Sequence, residues 1–177
     1  MDAASTETEE LVTAREKLAD AEERVAAAQA RVNSRSANLE AAKAEQRAAE
    51  DGIRAIEERR RKLVELREEQ ERIEDFYNTP NEDGTRKNRS KKYDGVSARP
   101  QDIRRKISEL EAASAGDAEA LERYNNDLRN AKENVRSYQT QLNTATRALN
   151  DSTDAYNTIK EKVDELNAAF EANKPEA

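Results

Sequence analysis

The chain has 177 residues, of which 39% are charged, 35% hydrophobic and only 4% aromatic, with a net charge of −7. That apolar content, much of it alanine, is too small to fill the core of a globular domain of this length. No cysteine or histidine is present, which excludes disulfides, thiol nucleophiles, imidazole bases and the common zinc sites. The acidic balance argues against nucleic acid as a general partner, and no stretch approaches the ~20 apolar residues of a membrane span.

The acidic, polar first ten residues do not form a signal peptide. A start methionine directly before a helix fits a domain cut from a longer chain. From Leu11 a heptad begins: Leu11, Leu18, Val25, Val32, Leu39, Gln46, Ile53 and Arg60. Three residues after each lie Ala14, Ala21, Ala28, Arg35, Ala42, Ala49, Ile56 and Leu63. This is an a/d pattern with alanine dominating one core position. It continues less cleanly through Leu66 and Ile73 to Tyr77, with Gly52 its one glycine. The reading is one helix over 8–77.

The heptad then stops, and residues 78–100 turn to loop chemistry. Asn78-Thr79-Pro80-Asn81-Glu82-Asp83-Gly84 and Tyr93-Asp94-Gly95 carry two Asp-Gly turn signals. Packed helices are usually joined by 2–8 residues, so this loop is an elaborated head. Its charge is inverted. Between residues 80 and 99, six basic side chains stand against three acidic ones, a net of +3, which leaves −10 for the rest. Phe76, Tyr77 and Tyr93, three of the seven aromatics, lie in or beside it. Aromatic and Arg side chains on a loop are the types that anchor interfaces. The candidate binding residues are Phe76, Tyr77, Asn78, Gly84, Arg86, Lys87, Arg89, Lys91, Lys92, Tyr93 and Gly95. Tyr77 and Tyr93 are the expected apolar anchors and the basic residues a steering patch, with Gly84 and Gly95 shaping the loop. The competing reading is a solvated loop whose lysines keep it soluble.

A second helix is expected over 101–173. From Ile107 its a positions run through Ser114, Leu121, Leu128, Val135, Leu142, Leu149, Tyr156, Val163 and Phe170. The d positions are Leu110, Asp117, Tyr124, Ala131, Tyr138, Ala145, Ser152, Ile159 and Leu166. Pro100 and Asp102 suit its start. Ala113-Ser114-Ala115-Gly116-Asp117 is its weak point, read as a mild loosening rather than a flex point.

Two helices of about 70 residues, each on the order of 105 Å, imply an all-α fold. It would be a single long antiparallel α-helical hairpin, a two-stranded coiled coil with an elaborated tip loop, occupying 1–177 as one domain. A turn centred near residue 89 sets residue x opposite roughly 179 − x. Ala42 then nears Tyr138, Ile56 nears Tyr124, and Arg60 nears Asp117, small residues receiving large ones.

Asn33-Ser34-Arg35 followed by Leu39-Glu40-Ala41-Ala42, and the corner Phe76-Tyr77-Asn78-Thr79-Pro80, resemble the receptor-binding domain of E-group colicins and related klebicins. The resemblance implies a helical hairpin whose tip docks into a TonB-dependent outer-membrane receptor of a target bacterium, in many members the cobalamin transporter. It further implies a secreted toxin as the parent, a monomer, and no membrane insertion by this domain. Beyond the aromatic-to-proline corner the tip departs from the E-group pattern, so the resemblance does not name the receptor.

The expectation is a non-enzymatic binding module without cofactor or metal. The first alternative is a structural coiled-coil spacer or oligomerisation rod. The second is an arm that handles nucleic acid, which the acidic shaft weighs against.

Overall fold

The computed structural model describes residues 3–87 and 100–172, with side chains from residue 9. Among them lie three helices: α1 (Ala3–Asn78), α2 (Pro100–Ala113) and α3 (Asp117–Ala172). The first helix begins five residues before the expected start. No helix among the described residues is long and apolar enough to cross a membrane.

The ends of the helices follow from local chemistry. At the end of α1, Pro80 disfavours a helical conformation in Thr79. The Thr79 amide and hydroxyl both donate to the Asp75 carbonyl, at 3.0 and 2.8 Å, closing the last turn. Pro100 is the first residue of α2, where its missing N–H costs nothing, and Asp102 lies in the first turn.

The expected second helix of 101–173 is in fact two. Residues 114–116 form turns between α2 and α3. The interruption falls where serine and glycine, both weak helix formers, precede Asp117, whose side chain is engaged elsewhere. The loosening expected from the sequence is therefore a full break.

The chain divides into two compact units, one of residues 1–44 with 131–177 and the other of residues 45–130. In the first unit, the α1 heptad buries Leu11, Ala14, Ala21, Ala28, Leu39 and Ala42, the expected a and d residues. Ala131 and Val163 are their buried counterparts on α3. Arg15 Nη2 donates to Asn167 Oδ1 at 2.6 Å, and Tyr156 Oη to Glu22 Oε1 at 3.4 Å. As residue numbers rise along α1, those of the partners fall.

The second unit repeats that order. Tyr124 lies on Gly52, Asp117 pairs with Arg59, Glu111 with Arg67, and Arg104 with Glu74. Here the α1 seam has moved. The d residues Ile56 and Tyr77 remain buried, but Ile73 joins them from the g position while the a residue Arg60 is exposed. From Ile56 to Tyr77 the inward residues keep the 3.5-residue spacing of a heptad, now read as d/g instead of a/d.

Two expected neighbours are refined, with Arg60 still close enough to Asp117 to favour its charged form. Arg59, not Arg60, forks onto Asp117, with Nη2 to Oδ1 at 2.5 Å and Nε to Oδ2 at 3.2 Å. Tyr124 packs on Gly52 rather than opposite Ile56. A Cβ at residue 52 would stand 2.6 Å from the Tyr124 Cζ, so the missing side chain is the space the ring occupies.

Candidate functional site

The second unit carries its own apolar cluster beneath the tip. Ile73, Tyr77, Ile103 and Ile107 are buried together, with Leu63, Leu66 and Phe76 packed against them. Ile103 is 1% exposed and Tyr77 8%. Each isoleucine so buried is worth about 1.5–3 kcal/mol. This cluster fixes the end of α1 against the start of α2 and so holds both stems of the loop. The Arg104–Glu74 ion pair, 3.4 Å across the same stems, is exposed and adds little.

Above the cluster, residues 81–85 form a closed turn. The Gly84 amide donates to the Asn81 carbonyl at 2.8 Å and the Asn81 amide to the Thr85 carbonyl at 2.9 Å. This is the pattern of a three-residue reversal with glycine at the left-handed position, and Gly84 has φ +77°. Side chains tie the turn a second time. Asp83 Oδ1 accepts from the Thr85 amide at 2.9 Å and from its hydroxyl at 2.6 Å, while Asn81 Nδ2 donates to Thr85 Oγ1 at 2.9 Å. The Thr85 hydroxyl, and next its amide, hold the Asp83 carboxyl below the usual aspartate range.

From this turn the chain brings Lys87 back over the end of α1. Its ammonium stands 3.9 Å from the centroid of the Phe76 ring, a cation–π contact. Phe76 in turn meets Tyr77 edge to face, with centroids 5.2 Å apart and planes at 75°. A buried aromatic, a half-buried aromatic and a cation are thus stacked outward from the core. Arg86, Gly84 and Asn78 are exposed beside them.

Of the eleven residues singled out in the sequence, Phe76, Tyr77 and Lys87 are brought into contact. Asn78 ends α1 rather than opening the loop, and Gly84 shapes its turn as expected. Tyr77 departs from its expected role. Its ring belongs to the core under the tip instead of lying open as a docking anchor, because the d position it occupies still faces inward after the seam has moved. Phe76, one residue before it, is the aromatic that reaches the surface. Arg89, Lys91, Lys92, Tyr93 and Gly95 lie outside the described residues.

The sequence reading missed the parts played by Asn81, Asp83 and Thr85. Their signal was present, since an aspartate two residues before a threonine, with glycine between, is a pattern for a side-chain-locked turn.

The arrangement offers cationic donors and an aromatic face. Among the described residues, no group of three or more acidic side chains could hold a metal ion. The concavity nearby is a shallow, open trough lined by Lys62, Glu65, Leu66, Glu69, Lys106, Glu109 and Leu110, whose charges of both signs face water. No family model, curated protein or solved structure matches the chain.

Proposed function

We propose that the chain is the receptor-binding module of a bacteriocin: a single antiparallel α-helical hairpin, packed as a two-stranded coiled coil, whose tip docks into a TonB-dependent outer-membrane receptor of a target bacterium. The observation that carries this reading is the build of the tip. A turn locked by its own side chains, with Lys87 laid on Phe76, stands on an isoleucine and tyrosine cluster. Pre-ordered loops of this kind lose less conformational entropy on binding. The opposed order of contacts in each unit supports the hairpin. The inverted charge of residues 80–99 supports electrostatic steering toward an acidic receptor mouth.

In this reading the module acts outside the producing cell, as part of a larger toxin, and engages its receptor as a monomer without enzymatic chemistry, metal or cofactor. One observation favours the alternative of a structural rod. Burial of Tyr77 removes an aromatic from the surface, and a spacer would need only that its ends be capped.

The two readings separate on binding to enterobacterial cells. Fluorescently labelled chain is compared with a copy in which residues 80–99 are replaced by a short Gly-Ser turn. Docking predicts saturable binding by the intact chain and at least tenfold weaker binding by the copy. Equal binding by both, or none by either across a strain panel, would leave the rod.

A further inference from the structure

Residues 114–116 separate α2 from α3, which begins at Asp117, and several features meet there. The helical ladder lapses. The Ser114 amide is shared between the Leu110 and Glu111 carbonyls at 2.9 and 3.2 Å, and the Ala115 amide reaches Ala112 at a long 3.4 Å. Regular spacing resumes when the Ala120 amide donates to Gly116 at 3.0 Å. Gly116 sits in the gap although a Cβ there would meet nothing within 4 Å and its φ is not positive. Neither packing nor backbone geometry requires glycine at a position where it weakens a helix.

The side chains at the break are polar although they occupy inward positions of the heptad. The Ser114 hydroxyl is buried beside the Asp117 carboxylate, which it helps to keep charged. Asp117 is 5% exposed and is held across the interface by the Arg59 fork. On the tip side lies the cluster of Ile73, Tyr77, Ile103 and Ile107. On the other side, one heptad along, Tyr124 is seated on Gly52. Two packed regions of the same unit thus flank one polar layer.

We propose that residues 114–117 are a latched joint at which α2 opens from and closes onto α1, with the Arg59–Asp117 ion pair as the latch. An apolar seam resists opening at every layer, because each layer exposes oily surface. At this layer opening returns the buried Asp117 carboxylate to water, recovering solvation lost on burial. The glycine supplies the backbone freedom. Closure needs the two-point geometry of the fork, so the joint has one well-defined closed state. Local openings of this kind follow packed subunits of a structure rather than single residues. The joint is a property of residues 45–130 and stands whether or not the tip docks.

Amide hydrogen exchange on the full chain, with Gly116→Ala and Asp117→Asn variants, tests it. In the unaltered chain, peptides from 101–113 should exchange at least tenfold faster than those from 118–130. Gly116→Ala should slow the 101–113 peptides several-fold by continuing the helix through the break. Asp117→Asn should speed them at least tenfold and leave peptides from 135–165 unchanged. A common rate for 101–113 and 118–130 in the unaltered chain overturns the proposal, as does a Gly116→Ala variant with no slowing. Should Asp117→Asn loosen the whole molecule, the Gly116→Ala result decides alone.

Discussion

Gly52 shows how one residue can act by lacking a side chain. The Tyr124 ring occupies the place where a Cβ would be, 2.6 Å from the nearest ring atom. Alanine would gain helix propensity but must displace the ring, so the two effects oppose each other. A larger side chain leaves no such balance. Gly52→Val should destabilise the protein by about 1–3 kcal/mol in urea unfolding. Tyr124→Ala should recover part of that loss in the double variant. A Gly52→Val chain as stable as the original would mean that the ring is not seated there. Gly52 stood out in the sequence as the one glycine of a long heptad, but its partner could not be named, because the expected register set Tyr124 against Ile56.

Asp117 is the other residue whose environment has a measurable consequence. Hydrogen bonding from Arg59 lowers its carboxyl below the usual aspartate range against an opposing effect of burial, with smaller help from Ser114 and Arg60. The same bond raises Arg59. A folded-state value below the unfolded one of about 3.9 means that the unfolded chain binds the proton more readily. The pair's contribution is therefore complete above about pH 4 and is lost as pH falls through the lowered value. Thermal melts of the original and Asp117→Asn chains should differ at pH 7 and converge as acid protonates the Asp117 carboxylate in the folded chain. A difference that persists unchanged into acid would show that the carboxylate charge is not what Arg59 recognises.

Among the elements, the heptads made most of the inward face legible. Leu11, Ala14, Ala21, Ala28, Leu39, Ala42, Ala49 and Ile56 were all read as core and are all buried. Legibility failed where the heptad changed phase near Ile56. Toward the tip the seam moves to d and g, so Arg59 takes the role assigned to Arg60. The break in the second helix was visible as a weak point but not as a break. Propensity alone does not reveal that Asp117 would be drawn into a fork with Arg59. In the tip, Asp83-Gly84 announced a turn, whereas the return of Lys87 onto Phe76 depends on a tertiary path that no local pattern encodes. Within the first unit, opposed packing makes a specific prediction. A chain carrying Ala42→Cys and Tyr138→Cys should form an intramolecular disulfide under mild oxidation, since facing positions bring Cα atoms within the ~4.4–6.8 Å that a disulfide spans. Oxidation that yields only intermolecular dimers would contradict the pairing of these segments within one chain.

At the scale of the whole molecule, the composition sets what the protein can be. Its chemistry is concentrated where the sequence changes character: a basic, aromatic stretch between two acidic helices. In the proposed reading, most of the chain serves to present about twenty residues for recognition. The central claim is that those twenty residues read one receptor. Its most direct test is a pull-down from detergent-solubilised outer membranes of several enterobacterial strains, with the intact chain and the copy lacking residues 80–99 as baits. The account predicts that the intact chain alone retains a single TonB-dependent transporter. Retention of the same membrane proteins by both baits, or of none by either, would contradict it.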